Sequence, residues 1–262
     1  MKRNDLKALV KEKYGKIALE SEGDQHVNCC GYSDYTIFSE NYSELQGYKP
    51  EADLGLGCGL PTEHAGIGPG QRVLDLGSGA GNDCFVARAI VGESGSVTGL
   101  DFSDEMLEKA RANATKLGYG NVGFVSGDIE AMPFKEHSFD VVISNCVLNL
   151  VPDKYRAFSE IMRVLAPGGH FCVSDVVIKG SLPEKLREDA EMYAGCVSGA
   201  LQLEEYLGTI EKAGFVNIQT HKQRRIELPE KLLKNYLGEN ELSEFLMGDT
   251  GIFSLTVSAE KQ

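Results

Sequence analysis

The sequence predicts an α/β chain of the doubly wound kind. Strand-like and helix-like patterns alternate strictly from residue 71 to residue 178. A glycine-rich stretch, "VLDLGSGAG", joins the first of those strands to its helix, and Asp75, Asp101 and Asp128 fall at the ends of three consecutive strand patterns. Such alternation builds a parallel sheet covered by helices, with ligands bound beyond the carboxyl ends of the strands.

In chain order, "MKRNDLKALVKEKYG" sets Leu6, Leu9, Val10 and Tyr14 at helical spacing and reads as an amphipathic helix docked on the main domain. Residues 20–60 have no clear period and are rich in Gly, Ser, Tyr and acids, which reads as a loop-rich arm. "RVLDLG" is a short apolar strand, and "NDCFVARAIVG" is a helix with a glycine stop. "GSVTGLD" is the second strand. "SDEMLEKARANATKLG" is a helix opened by Ser103, acidic at Asp104 and Glu105 in its first turn, and ended by Gly118. "NVGFVSGD" and "FDVVISN" are the third and fourth strands. "DKYRAFSEIMRVLAPGG" is a helix with a proline–glycine stop, and "HFCVSDVV" is the fifth strand. Beyond it, "LPEKLREDAEMYAGCVSGAL" and "QLEEYLGTIEKAGF" read as helices, the second ending at Gly214. "VNIQTHKQRRIEL" reads as a strand, "PEKLLKNYLGENELSEFLMG" as a helix and "IFSLTVSAEK" as a closing antiparallel strand.

Composition narrows the function. A formal net charge of -13 leaves no broad basic face, so neither nucleic acid nor an anionic membrane is an expected partner. No stretch has the apolar length of a membrane span, and the basic N-terminus lacks the apolar core of a secretory signal. Seven cysteines without an export signal point to a reducing cytoplasm, and their odd number argues against a complete disulfide framework. Neither C-x-x-C nor C-x-x-x-x-C occurs, so no local zinc knuckle is written here. His26, His64, His137, His170 and His221 read as surface or packing residues, since no His–Asp pair is evident.

The glycine loop carries Gly77, Gly79 and Gly81, where a backbone without Cβ lets a ligand approach. A dinucleotide fingerprint would need Gly or Ala at the position of Asn82. Asp101 lies twenty residues beyond Gly81, where a carboxylate can accept both ribose hydroxyls. Asp128 in "GDIEAMPF" can meet an adenine amino group, and Asp75 stands near a ligand's amino-acid end. Each acid alone reads equally as a helix cap or turn residue; all three at successive strand ends do not. Residues 70–178 resemble the class I S-adenosylmethionine methyltransferases. The resemblance implies a seven-stranded mixed sheet whose final strand is antiparallel. It also implies that the glycine loop, with Gly77, Ser78, Gly79 and Gly81, holds the methionine moiety, that Asp101 holds the ribose and that Phe102 beside it belongs to the cofactor site. Met106, which reads equally as core, would cover the adenine; Asp128 and Ile129 would meet its edge, and Asn145 would face the methionine part or the sulfonium.

The cysteines divide by context. Cys172 alternates within a strand and Cys84 lies on the first helix, so both read as core. Cys58 is pressed between glycines in "LGLGCGLP", Cys146 follows the fourth strand in "SNCVLNLVPDK", and Cys196 has small neighbours in "YAGCVSGAL". With "DLGSGAGNDCF", these motifs together resemble the arsenite S-adenosylmethionine methyltransferases over about residues 50–200. In that family three cysteines bind trivalent arsenic, and the matching positions are Cys58, Cys146 and Cys196. A further cysteine of the arm, Cys30 or its neighbour Cys29, would serve the redox cycle.

The resemblance implies three regions: an N-terminal helix and arm over 1–69, an S-adenosylmethionine-binding unit over 70–180, and C-terminal helices and closing strands over 181–262 that supply Cys196. It also implies arsenite or its thiol conjugate as the small-molecule substrate, with thioredoxin or glutathione as external thiol reductant. Soft thiolates suit this thiophilic substrate, whose lone pair carries no proton for a base to remove. Two other readings remain open from the residues: methyl transfer to a small organic acceptor such as a lipid or quinone, and a thiol protein that binds metalloid without catalysis.

Overall fold

The computed structural model describes residues 3–20, 40–182, 199–228, 230–235 and 237–262. Seven strands form one mixed sheet: β1 (Arg72–Leu76), β2 (Ser96–Asp101), β3 (Val122–Ser126), β4 (Phe139–Asn145), β5 (Leu165–Lys179), β6 (Val216–Arg225) and β7 (Gly251–Glu260). Their spatial order is β3-β2-β1-β4-β5-β7-β6. The first five are parallel; β7 runs antiparallel between β5 and β6. The strand order reverses between β1 and β4, which places the crevice for a ligand at their carboxyl ends.

Helices α3 (Asn82–Val91) and α4 (Asp104–Leu117) cover one face, and α5 (Lys154–Val164) and α6 (Leu203–Lys212) the other. β1 sends Leu74 and Leu76 into one core and Val73 into the other, which is why it reads as a continuous apolar run. Local signals hold where expected. The Ser103 hydroxyl accepts the Met106 N–H at the start of α4, and Gly118 closes that helix in the left-handed region. The N-terminal helix α1 (Arg3–Glu20) docks on α4, burying Ile17 and Ala18 against Met106. The side chains of Leu6 and Leu9 lie outside the described residues. A short α2 (Pro61–His64) precedes β1.

Two stretches differ from the sequence reading. β5 begins at Leu165 rather than His170, because Gly168 and Gly169 exchange backbone hydrogen bonds with Lys261 and draw the "APGG" turn into the sheet. The expected helix over 229–248 is two, α7 (Glu230–Leu233) and α8 (Glu239–Met247). Gly238 separates them, and the Glu241 carboxylate takes its N–H as a fresh helix start. The arm, described from residue 40, is irregular apart from a 3-10 turn at Pro50–Ala52. The helix expected over 182–201 falls mostly outside the described residues. Among the described residues no helix is long and apolar enough to cross a membrane.

Three described non-glycine residues have positive φ: His137, Cys146 and Asn217. His137 and Asn217 are exposed, and Asn tolerates this region. Cys146 is buried, at φ +60°, and directly follows β4. Its N–H donates to Ser174 O at 2.7 Å, so the pairing with β5 continues through the turn. Strain of this kind is removed by glycine, so Cys146→Gly should be more stable than Cys146→Ala by about 1 kcal/mol, the reverse of their order in an ordinary strand. Urea unfolding of the two variants measures this; a more stable alanine variant would show that the backbone is unstrained.

Candidate functional site

One cavity opens at the carboxyl ends of β1 and β4. Asp75, Gly77, Ser78, Gly79, Asp101, Phe102, Met106, Asp128, Ile129 and Asn145 all line it. Gly81 does not. A Cβ there would lie 2.9 Å from the Phe85 ring and 3.0 Å from the Phe124 ring, so this glycine lets α3 sit close on the sheet. Sequence reasoning missed several walls. Lys7, Val10 and Tyr14 of α1 border it, as do Tyr42 and Asp53 of the arm and Asp83 at the start of α3. The helical spacing of Val10 and Tyr14 was a signal for docking but not for its place. Tyr42 sits where no period exists to read.

The cavity is strongly acidic. Asp53, Asp75, Asp83, Asp101 and Asp128 line it, against one cation among the described residues, Lys7. Asp101 is locked between the glycine loop and α4, its oxygens accepting the N–H groups of Gly79 at 2.9 Å and Ser103 at 2.8 Å. Burial raises its pKa. Burial also lifts Asp75 well above the carboxylate range, helped by the charge of Asp83 and opposed by the Cys84 thiol at 3.1 Å. Asp83 is pushed up to about 6 by burial, against hydrogen bonds from Asn145 and Tyr42. Asp128 differs: partial burial opposes its charge, but Lys7 at 2.5 Å and the Glu130 N–H outweigh it and hold its pKa low. Lys7 also pairs with Glu130, so α1 is fastened over this end of the cavity.

This arrangement fits a ligand with an adenosine part and a positively charged methionine part. The acids suit a cation, and Asp101 is presented at the end of β2 for hydroxyl groups. The Ser78 hydroxyl and the Asn82 carboxamide oxygen line the cavity, buried and without a protein partner, as groups awaiting a ligand would be.

Cys58 and Cys146 are brought together. They are 0% and 3% exposed and share one cluster with Val176, Ile178, Ala200, Ile226 and Ile252. Cys146 also lines the cavity. The buried Tyr206 hydroxyl has its pKa raised by burial and by Asp175, with smaller contributions from both thiols. Cys196, Cys29 and Cys30 lie outside the described residues. Ala200 belongs to the same buried cluster as Cys58 and Cys146. Cys84 and Cys172 are core, and burial pushes the Cys172 thiol up to about 12. None of the described histidines lines the cavity: His64 and His221 stack at 5.0 Å, and His137 and His170 bond to the backbone carbonyls of Leu165 and Ala65. His26 is outside the described residues.

Asp175, buried beside Tyr206, has a raised pKa as Asp75 and Asp83 have, pushed up to about 7 by burial. An unfolded chain releases the protons of these carboxyls near about pH 4. Between about pH 4 and pH 7 the native state therefore binds more protons than the unfolded one, and stability falls as pH rises. The unfolding midpoint of the ligand-free chain should drop steadily from pH 5 to pH 7. A midpoint that rises over that range would show the three carboxyls to be ionised in the native state.

The matches to known proteins agree with this geometry. Residues 67–214 match the model of the methyltransferase domain family. An arsenite methyltransferase of Halobacterium salinarum is 38% identical, over 94% of this chain and 66% of its own length. One from Aquipseudomonas alcaligenes is 35% identical, over 88% of this chain and 68% of its own. The crystal structure of an arsenic(III) S-adenosylmethionine methyltransferase from Chlamydomonas reinhardtii superposes with a TM-score of 0.63 at 39% identity, covering 77% of this chain and 66% of that one. The chain thus spans about two thirds of the length of these relatives. With the strand order, the glycine loop and the paired cysteines in place, the chain belongs to the arsenite methyltransferase family, built on the class I methyltransferase fold.

Proposed function

We propose that this chain methylates trivalent arsenic, with S-adenosylmethionine as donor and the thiolates of Cys58, Cys146 and Cys196 as the hold on the metalloid. The observation that carries the reading is the meeting of Cys58 with Cys146 in one buried cluster, at the edge of an acidic cavity that Cys146 itself lines. Asp101 holds the ribose, while Asp75 and Asp83 offset the positive charge of the methionine end. Met106, wedged between α1 and the glycine loop, covers the base.

The donor supplies an electrophilic methyl on sulfonium, and the arsenic lone pair takes it as the carbon–sulfur bond breaks, so no general base is required. What the protein contributes is orientation: three sulfurs replace the arsenic hydroxyls and leave the lone pair facing one way. Arsenic loses two electrons formally in forming the new As–C bond. Thiols return them, becoming a disulfide that thioredoxin or glutathione reduces, with Cys30 as the arm's participant. The reading calls for a reducing compartment, the cytoplasm, in which all these sulfurs begin as thiols.

Cys58→Ser and Cys146→Ser should each cut methyl transfer to arsenite by about 100-fold or more while affinity for S-adenosylhomocysteine stays within about threefold. Arsenic speciation after incubation with arsenite, S-adenosylmethionine and thiol gives the first quantity, and titration calorimetry gives the second. Undiminished transfer by either variant would refute the thiolate clamp. Transfer to a quinone or lipid acceptor, with none to arsenite in the parent chain, would reassign the enzyme.

A further inference from the structure

Cys58 and Cys146 come from distant parts of the chain, yet one residue is attached to both. Asn145 is the last residue of β4, so its own peptide carries Cys146. Its side chain reaches the loop of Cys58, 87 residues away. The carboxamide oxygen accepts the N–H of Cys58 at 3.0 Å and of Gly59 at 3.3 Å. The amide nitrogen donates to Gly59 O at 2.8 Å, to Asp83 Oδ2 at 3.2 Å and, closely, to the Tyr42 hydroxyl. Tyr42 in turn donates to the Asp83 carboxylate at 3.0 Å. The network fixes which way the amide faces: turned over, its oxygen would meet a carboxylate and its NH2 two N–H groups. Cys58 is pinned at its other end as well, since Ser254 Oγ donates to its carbonyl at 2.6 Å.

The glycines around Cys58 follow from this contact. A Cβ on Gly57 would stand 2.6 Å from Asn145 Nδ2, and one on Gly59 would stand 2.5 Å from Ser174 Oγ. The loop is pressed against the end of β4 as closely as a bare backbone allows.

We propose that Asn145 is the positioning residue that sets the spacing of the Cys58 and Cys146 thiols, held in the required orientation by Tyr42 and Asp83. The proposal rests on the reading that these thiols bind arsenic, and it moves Asn145 from the donor's side of the reaction to the acceptor's. Because Tyr42 and Asp83 line the donor cavity, the same hydrogen bonds join the two halves of the site.

The test uses the full chain, with arsenite affinity from equilibrium dialysis and arsenic counted by mass spectrometry, beside S-adenosylhomocysteine affinity from calorimetry. Asn145→Ala should weaken arsenite binding by about tenfold, the loss expected for two or three hydrogen bonds that hold one loop, and should weaken S-adenosylhomocysteine binding, whose cavity Asn145 also lines, by clearly less than that. Gly57→Ala, which pushes the loop off an intact Asn145, should do the same. Acting through Cys58, Asn145→Ala should add nothing in a Cys58→Ser background, whereas a general loss of structure would add in full. Should Asn145→Ala fail to fold, Gly57→Ala and its own Cys58→Ser pairing decide the matter. Undiminished arsenite affinity in the folded variants, or equal losses in both backgrounds, overturns the proposal. A parent chain that does not bind arsenite overturns the proposed function itself.

Discussion

The hydrogen bond from the Cys146 N–H to Ser174 O is the constraint on which the site depends. β4 pairs with β5 through Asn145↔Ser174, and this further bond continues the pairing one residue past the strand's last regular position. A chain held there and turned left-handed at once sends the Cys146 side chain off the path of the strand, beside the cavity rather than under the helices. The same bend leaves Asn145 facing the loop before α2. A thiol and an amide at consecutive positions thereby serve two different neighbours.

A second consequence is electrostatic. Parallel strands that end together bring their terminal acids together, and here two of them, Asp75 and Asp101, are also buried, while Asp128 is half-exposed and paired with Lys7. Water cannot screen the buried two, so they keep their protons to a higher pH than a surface carboxylate does. A cation entering the cavity takes the place of those protons. The ligand-free and ligand-bound states therefore differ in proton content, and the acidity of the pocket expresses selection for positive charge more than any single contact does.

The seven strands, the helix caps at Ser103 and Gly118 and the glycine loop were legible because each is written in a few neighbouring residues. The break at Gly238 was legible in principle, since a glycine and a capping glutamate stand at the right interval. The extension of β5 through Gly168 and Gly169 was not, because it depends on Lys261 arriving beside them. Gly81 looked like part of the ligand loop, and only the two rings against it reveal its packing role. Asn145 was seen as a strand-end residue, but its partners are a tyrosine in an aperiodic arm and a loop far away in the chain. Long-range hydrogen bonds among polar side chains leave no periodic trace.

The insertion of β7 between β5 and β6 bears on the order in which the molecule is made. Ser254, which holds the Cys58 carbonyl, lies 196 residues beyond it and sits on the strand that leaves the ribosome last of the seven. Until β7 enters, β5 lacks its antiparallel neighbour and the Cys58 carbonyl lacks its bond from Ser254. The nascent chain can form its parallel core early, but these distant contacts close late because long loops must be ordered first. The placement of Cys58 thereby depends on contacts of high sequence separation. A partly made chain carries cysteines without the pocket that gives them a purpose.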